Sequence, residues 1–94
     1  MKLRFTRQAR RHIDATYDYV ARHDTGAAES VLLRIESAFD RLIEYPQMGR
    51  VGRVAGTREL VIPGLPYIIV YRLRSGTLDV LAIQHTARSW PDNF

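Results

Sequence analysis

Four side chains in the second half of this chain are of the types that handle phosphate chemistry: Arg58, Arg72, His85 and Arg88. Cleaving RNA through its 2′-hydroxyl needs a group to take that proton, a second to protonate the leaving oxygen, and cations to hold the phosphorus as it becomes pentacoordinate. His85 is the proton carrier of such a set, because an unperturbed imidazole titrates at about 6.5, near working pH. Arg58, Arg72 and Arg88 supply guanidinium forks for phosphate oxygens. Each also has a plain structural alternative. His85 can hydrogen-bond backbone at a strand end, Arg58 and Arg72 can pair with Glu59, Asp79 or the carboxylates of a helix, and Arg88 can be an exposed tail residue. Trp90 can stack on a base or a partner, or simply cover the end of a sheet. Arg50 and Arg53, in the segment Pro46 to Gly56, face solvent or a ligand on this reading.

The elements that must hold these groups follow from hydrophobic pattern. Lys2-Leu3-Arg4-Phe5 alternates as a short edge strand does. Thr6 is placed to cap a helix whose apolar stripe is Ala9, Ile13, Tyr17, Val20 and Ala21. After a break at Arg22 to Gly26, with Asp24 or Thr25 as the next cap, Ala28, Val31, Leu32, Ile35, Phe39, Leu42 and Ile43 keep helical period until Pro46. Pro46 to Gly56 holds too little apolar content for an element. Strands are expected at about 57–62, 67–74 and 77–84, joined by Pro63-Gly64-Leu65-Pro66 and Ser75-Gly76. The unbroken apolar run Tyr67 to Tyr71 marks a central strand covered on both faces, one by the helices and the other by the C-terminal segment or a partner. The fold class is therefore α+β, in the order β-α-α-β-β-β: an antiparallel helical hairpin on a small antiparallel sheet, with a short C-terminal tail.

Composition narrows the classes. Ninety-four residues are expected to form a single domain over 1–94. There is no cysteine, so disulfides and thiolate metal sites are excluded. No segment approaches the roughly 20 apolar residues of a membrane span, and a cytoplasmic location is expected. His12 and His23 are isolated in sequence from His85, and no paired carboxylates or phosphate-binding glycine loop occur, so neither a metal nor another cofactor is expected. The net charge is +4, Lys2 is the only lysine, and Lys2 to Arg11 carries five cations without an anion. Arginine in this proportion suits an acidic partner or nucleic acid, or reflects codon usage in a GC-rich genome.

Four local patterns, in order and at this spacing, resemble the RelE/ParE superfamily of toxins from type II toxin–antitoxin systems. They are Glu44-Tyr45-Pro46 with Gly49-Arg50, Gly56-Thr57-Arg58-Glu59-Leu60, Tyr67-Ile68-Ile69-Val70-Tyr71-Arg72, and His85 with Arg88-Ser89-Trp90-Pro91. The resemblance spans Leu3 to Pro91. It implies one of two activities. ParE-like members poison DNA gyrase as binding inhibitors. RelE-like members are ribosome-dependent endonucleases of messenger RNA, and in them Arg58, Arg72 and His85 would be catalytic. The RelE pattern of several lysines with a terminal tyrosine is not met, since Lys2 is expected far from the sheet and no tyrosine follows Tyr71, so the ParE side is favoured. Arg50, Arg53, Arg88 and Trp90 would then touch the target. The resemblance further implies a small antitoxin with an acidic C-terminal segment, gripped by exposed arginines and by strand addition at the edge formed by the last strand. It also implies a toxin–antitoxin hetero-oligomer that meets operator DNA only through the antitoxin.

Overall fold

The computed structural model describes residues 1–94. Its elements are β1 (Lys2–Phe5), α1 (Arg7–Ala21), α2 (Thr25–Glu44), β2 (Arg50–Val51), β3 (Arg58–Val61), β4 (Tyr67–Arg74) and β5 (Thr77–His85). The strands form one sheet in the order β1-β5-β4-β3-β2, and every pairing is antiparallel except that of β1 with β5.

Local chemistry sets the element ends. Thr6 caps α1 through a bond from the Ala9 N–H to its hydroxyl oxygen (3.1 Å), and the same hydroxyl donates to the carbonyl of Leu81 (3.1 Å). Leu81 is the extra residue where the β4–β5 register shifts between Val70 and Tyr71, so the helix cap is tied to the bulge. Asp24 caps α2 by accepting from the Ala27 N–H, which leaves a turn of only a few residues between the helices. Ser75 and Gly76 both have positive φ, 48° and 78°, as a two-residue hairpin turn of the primed type requires.

The helices cover one face of the sheet. Ile35, Phe39 and Leu42 of α2 meet Ile62, Ile69, Tyr71, Leu78, Val80 and Ile83, and Phe5 meets Phe39 edge-on with centroids 5.1 Å apart. Ile43, expected on the α2 stripe, is 38% exposed at the rim. On the opposite face, Ile68, Val70 and Ala82 are covered by Trp90 and Phe94. Between the alternatives for that face, the C-terminal segment is the cover.

Three expectations need correction. The segment 46–56 contains β2, because Arg50 and Val51 pair with Glu59 and Arg58 despite their exposure. Lys2 is not remote from the sheet: it lies in β1, in register with Thr77. The last strand is not an edge, since β1 runs alongside it. The outer lanes are β1 and β2, and β2 is so short that Leu60 and Val61 of β3 lack a neighbour on that side.

Candidate functional site

Register decides which side of the sheet each polar group occupies. Arg58 lies across from Tyr71, on the helix face, and Glu59 lies across from Val70 and through it from Ala82, on the other face, which is open to solvent only beyond the part that the C-terminal tail covers. Arg72, across from Asp79, is on the open face as well.

Glu59 is the centre of the open face. Its side chain is only 1% exposed, and both oxygens are occupied. Arg50 donates from Nε (3.3 Å) and Nη2 (2.9 Å) to Oε1. Arg53 donates from its backbone N–H (2.7 Å) and Nε (3.2 Å) to Oε2, and from Nη2 to Oε1 (3.2 Å). Burial alone would raise the pKa of this carboxyl; the bonds from Arg53 and Arg50 outweigh that and hold it below its ordinary value. The Arg53 guanidinium carbon also lies 3.5 Å above the Trp90 ring centroid. Gln84 Nε2 holds the tail by donating to the Ser89 carbonyl (3.1 Å). Thus Arg50 and Arg53, expected to face solvent or a ligand, are joined with Trp90 into one internal assembly, and of the two roles open to Trp90 it takes that of covering the sheet. Arg50 and Arg53 keep about half of their side-chain surface in solvent.

Towards β1 the same face turns cationic. Arg72 and Arg74 of β4 lie across from Asp79 and Thr77, which in turn align with Arg4 and Lys2. Asp79 is the only acid among these positions. Its contact with Arg72 is loose, at 4.0 Å, and the buried Arg72 Nε has no acceptor. Sequence reasoning missed Lys2, Arg4 and Arg74 as members of this strip. Their alternation with Leu3, Phe5 and Leu73 was the available signal, but it does not reveal which strand lies beside which.

The remaining candidates do not join them. Arg58 is tied on the helix face, where its Nη1 donates to the carbonyls of Gly49 (2.8 Å) and Gln47 (3.3 Å). His85 is on that face too, but it aligns with Tyr67, four residues along β4 from the partner of Arg58, or roughly 13 Å at about 3.3 Å per residue. The expected convergence of Arg58, Arg72 and His85 is therefore not found. Two faces and two ends of the sheet separate them. His85 and Arg88 instead share a cleft with His12 of α1.

His12 Nδ1 accepts the Ile83 N–H (3.2 Å), joining helix to sheet across 71 residues. Burial first, then the charges of Arg11 and Arg88, depress its pKa from 6.5. A depressed imidazole contributes stability that is complete above its unfolded value and is lost as pH falls towards the folded one. Thermal unfolding followed between pH 7.5 and 5 should show the melting temperature dropping below pH 6.5. In His12→Ala that part of the drop should vanish, and an unchanged slope would show that His12 is not its source.

Known proteins provide the comparison. Residues 3–90 match the family described as ParE toxin of type II toxin–antitoxin system, parDE. A Sinorhizobium fredii protein called putative toxin Y4kP is 42% identical over 90 residues, covering 96% of this chain and 93% of the relative. Toxin RelE2 of Caulobacter vibrioides is 37% identical over 84 residues, covering 89% and 93%. Among solved structures, the chromosomal ParDE TA system from P. aeruginosa superimposes with a TM-score of 0.80 at 27% identity, covering 90% of this chain and 95% of that one. A YoeB/ParE toxin from Agrobacterium tumefaciens shares the fold, with a TM-score of 0.60 at 22% identity over 90% and 98% of the two chains.

Proposed function

Because this chain belongs to the ParE toxin family of type II toxin–antitoxin systems, whose toxins have antitoxin partners, we propose that it arrests growth by binding DNA gyrase on DNA rather than by cutting RNA. One observation supports this reading above others. The cationic strip of Lys2, Arg4, Arg72 and Arg74 has no histidine beside it, because His85 is on the opposite face, and its one carboxylate, Asp79, lies against Arg72. Such a surface can grip a phosphate backbone and hold a protein–DNA complex, but it offers no imidazole for the proton transfers of strand cleavage. The antitoxin would use a different place. Its acidic segment would add as a strand beside Leu60 and Val61, where Arg34 and Arg41 of α2 flank an apolar groove.

Purified protein added to gyrase and relaxed plasmid should block supercoiling and accumulate cleaved complex, and the Arg72→Ala/Arg74→Ala variant should lose most of both. Unchanged supercoiling would refute the gyrase reading. His85→Ala should arrest growth as fully as the parent. Codon-phased transcript ends that depend on His85 would instead establish the ribonuclease alternative.

A further inference from the structure

Where β4 begins and β5 ends, α1 and the sheet line an open cleft of about 270 Å³. Its polar walls include His12 and Tyr19 from the helix, Tyr67 and His85 from the strands, and Arg88 from the turn beyond them; no carboxylate lines it.

The tautomers of both histidines are fixed by backbone. The Ile83 N–H points at His12 Nδ1, and the Ala87 N–H points at His85 Nδ1 (3.0 Å). An amide N–H can only donate, so each Nδ1 presents a lone pair and the ring proton resides on Nε2. The only hydrogen bonds of the two rings are those at Nδ1, so each Nε2–H is left without an acceptor within the protein, as are the Arg88 guanidinium and the hydroxyls of Tyr19 and Tyr67. Arg88 and His12 line the same cleft, and the Arg88 charge helps to lower the pKa of the His12 ring. The His85 ring is held perpendicular to Tyr67, with centroids 5.3 Å apart.

The cleft is thus walled by donors, and two of them, the imidazoles, are oriented by backbone before anything binds. We propose that it is a binding site for a small phosphomonoester, with the phosphate held by His12, His85 and Arg88. A carboxylate has two oxygens to offer, whereas a terminal phosphate has three and carries up to two charges, which suits a guanidinium fork with two imidazole N–H groups and two phenols around it. The volume is close to the roughly 300 Å³ at which small-molecule clefts begin, so the ligand is of mononucleotide size or less. Tyr19, 60% exposed, offers an open ring on which a flat base can lie. This site is on the helix side of the sheet and is independent of the gyrase reading.

Titrating the labelled protein with adenosine 5′-monophosphate, inorganic phosphate and adenosine, and following amide and imidazole signals, tests it. Adenosine monophosphate and phosphate should move Ile83, Ala87 and the rings of His12 and His85, with phosphate the weaker, while adenosine should leave them in place. Arg88→Ala should weaken nucleotide binding at least tenfold with an otherwise intact spectrum, and Arg10→Ala, on the exposed side of α1, should not. Equal loss in the two variants, equal binding of adenosine, or shifts confined to the open-face arginines would overturn the proposal. So would a single-stranded oligonucleotide lacking a terminal phosphate that competes as well as the mononucleotide.

Discussion

Glu59→Gln should lower the stability of this protein by about 2–3 kcal/mol, roughly 10–20 °C in melting temperature for a domain of this size. The carboxylate accepts five hydrogen bonds from Arg50 and Arg53 while almost wholly buried. A carboxamide of the same shape turns an N–H₂ towards donors on one side, so bonds are replaced by repulsion there. The loss stays below the 3–5 kcal/mol typical of an orphaned buried charge, because both arginines can rehydrate. Trp90 is the only tryptophan, so its emission reports directly on the tail. Once Arg53 is released from Glu59, the ring loses its lid and emission should shift to the red below the melting transition. The variant should also lack part of the parent's acid sensitivity. A carboxyl with a depressed pKa contributes stability that is present above its ordinary value and is lost as pH falls through the folded one, here below about 4.5. A melting curve and emission maximum indistinguishable from the parent would show that the assembly contributes nothing.

Tyr71→Phe should cost about 1–3 kcal/mol. The Tyr71 hydroxyl donates to the Pro46 carbonyl (2.8 Å) and accepts the Gly49 N–H (2.9 Å), and the residue is fully buried. Removing it strands a donor and an acceptor beneath the 46–49 segment. The effect should spread to Arg58, whose two carbonyl partners belong to that segment. Amide exchange at Gly49 is the sharpest measure: protection should collapse in the variant while Ile69 and Val80 in the core keep theirs. Burial raises the phenol pKa from 10.0, against the opposing influence of the Gly49 N–H and Arg58. Stability should therefore decline in the parent as pH climbs past 10, and the variant should lack that contribution. The same packing explains Gly49, where a β-carbon would sit 2.5 Å from the Tyr71 hydroxyl and 2.9 Å from the Glu59 carbonyl oxygen.

Both residues show how far a sequence can be followed. Local rules were enough for the helices, for the cap at Thr6, for the central strand and for the Ser75-Gly76 turn, and they narrowed the second cap to Asp24 or Thr25. Each depends on neighbours within a few positions. What escaped depends on lanes and sides. Nothing in Lys2 to Phe5 says that it runs parallel to the strand formed by Thr77 to His85, and so a cationic strip that joins β1 to β4 across that strand was invisible. Arg58 and Glu59 are adjacent in sequence, yet they serve opposite faces, and only the register tells which is which. His12 looked isolated from His85 because the chain between them is long. Its helical spacing with Thr16 and Tyr19 was the hint that it belongs to a shared surface.

The parallel pairing of β1 also bears on how the molecule comes into being. Thr6 and Leu81 touch although 75 residues separate them, so the earliest segment to be synthesised must wait for one of the latest before its lane exists. Until β5 has been made, β1 has no neighbour and one hydrogen-bonding edge of β4 is unpaired. A polypeptide halted before Thr77 would hold the helical pair and all four cations of the basic strip, but not the strand that sets β1 and β4 on either side of it, so the strip is assembled only when the last strand is in place.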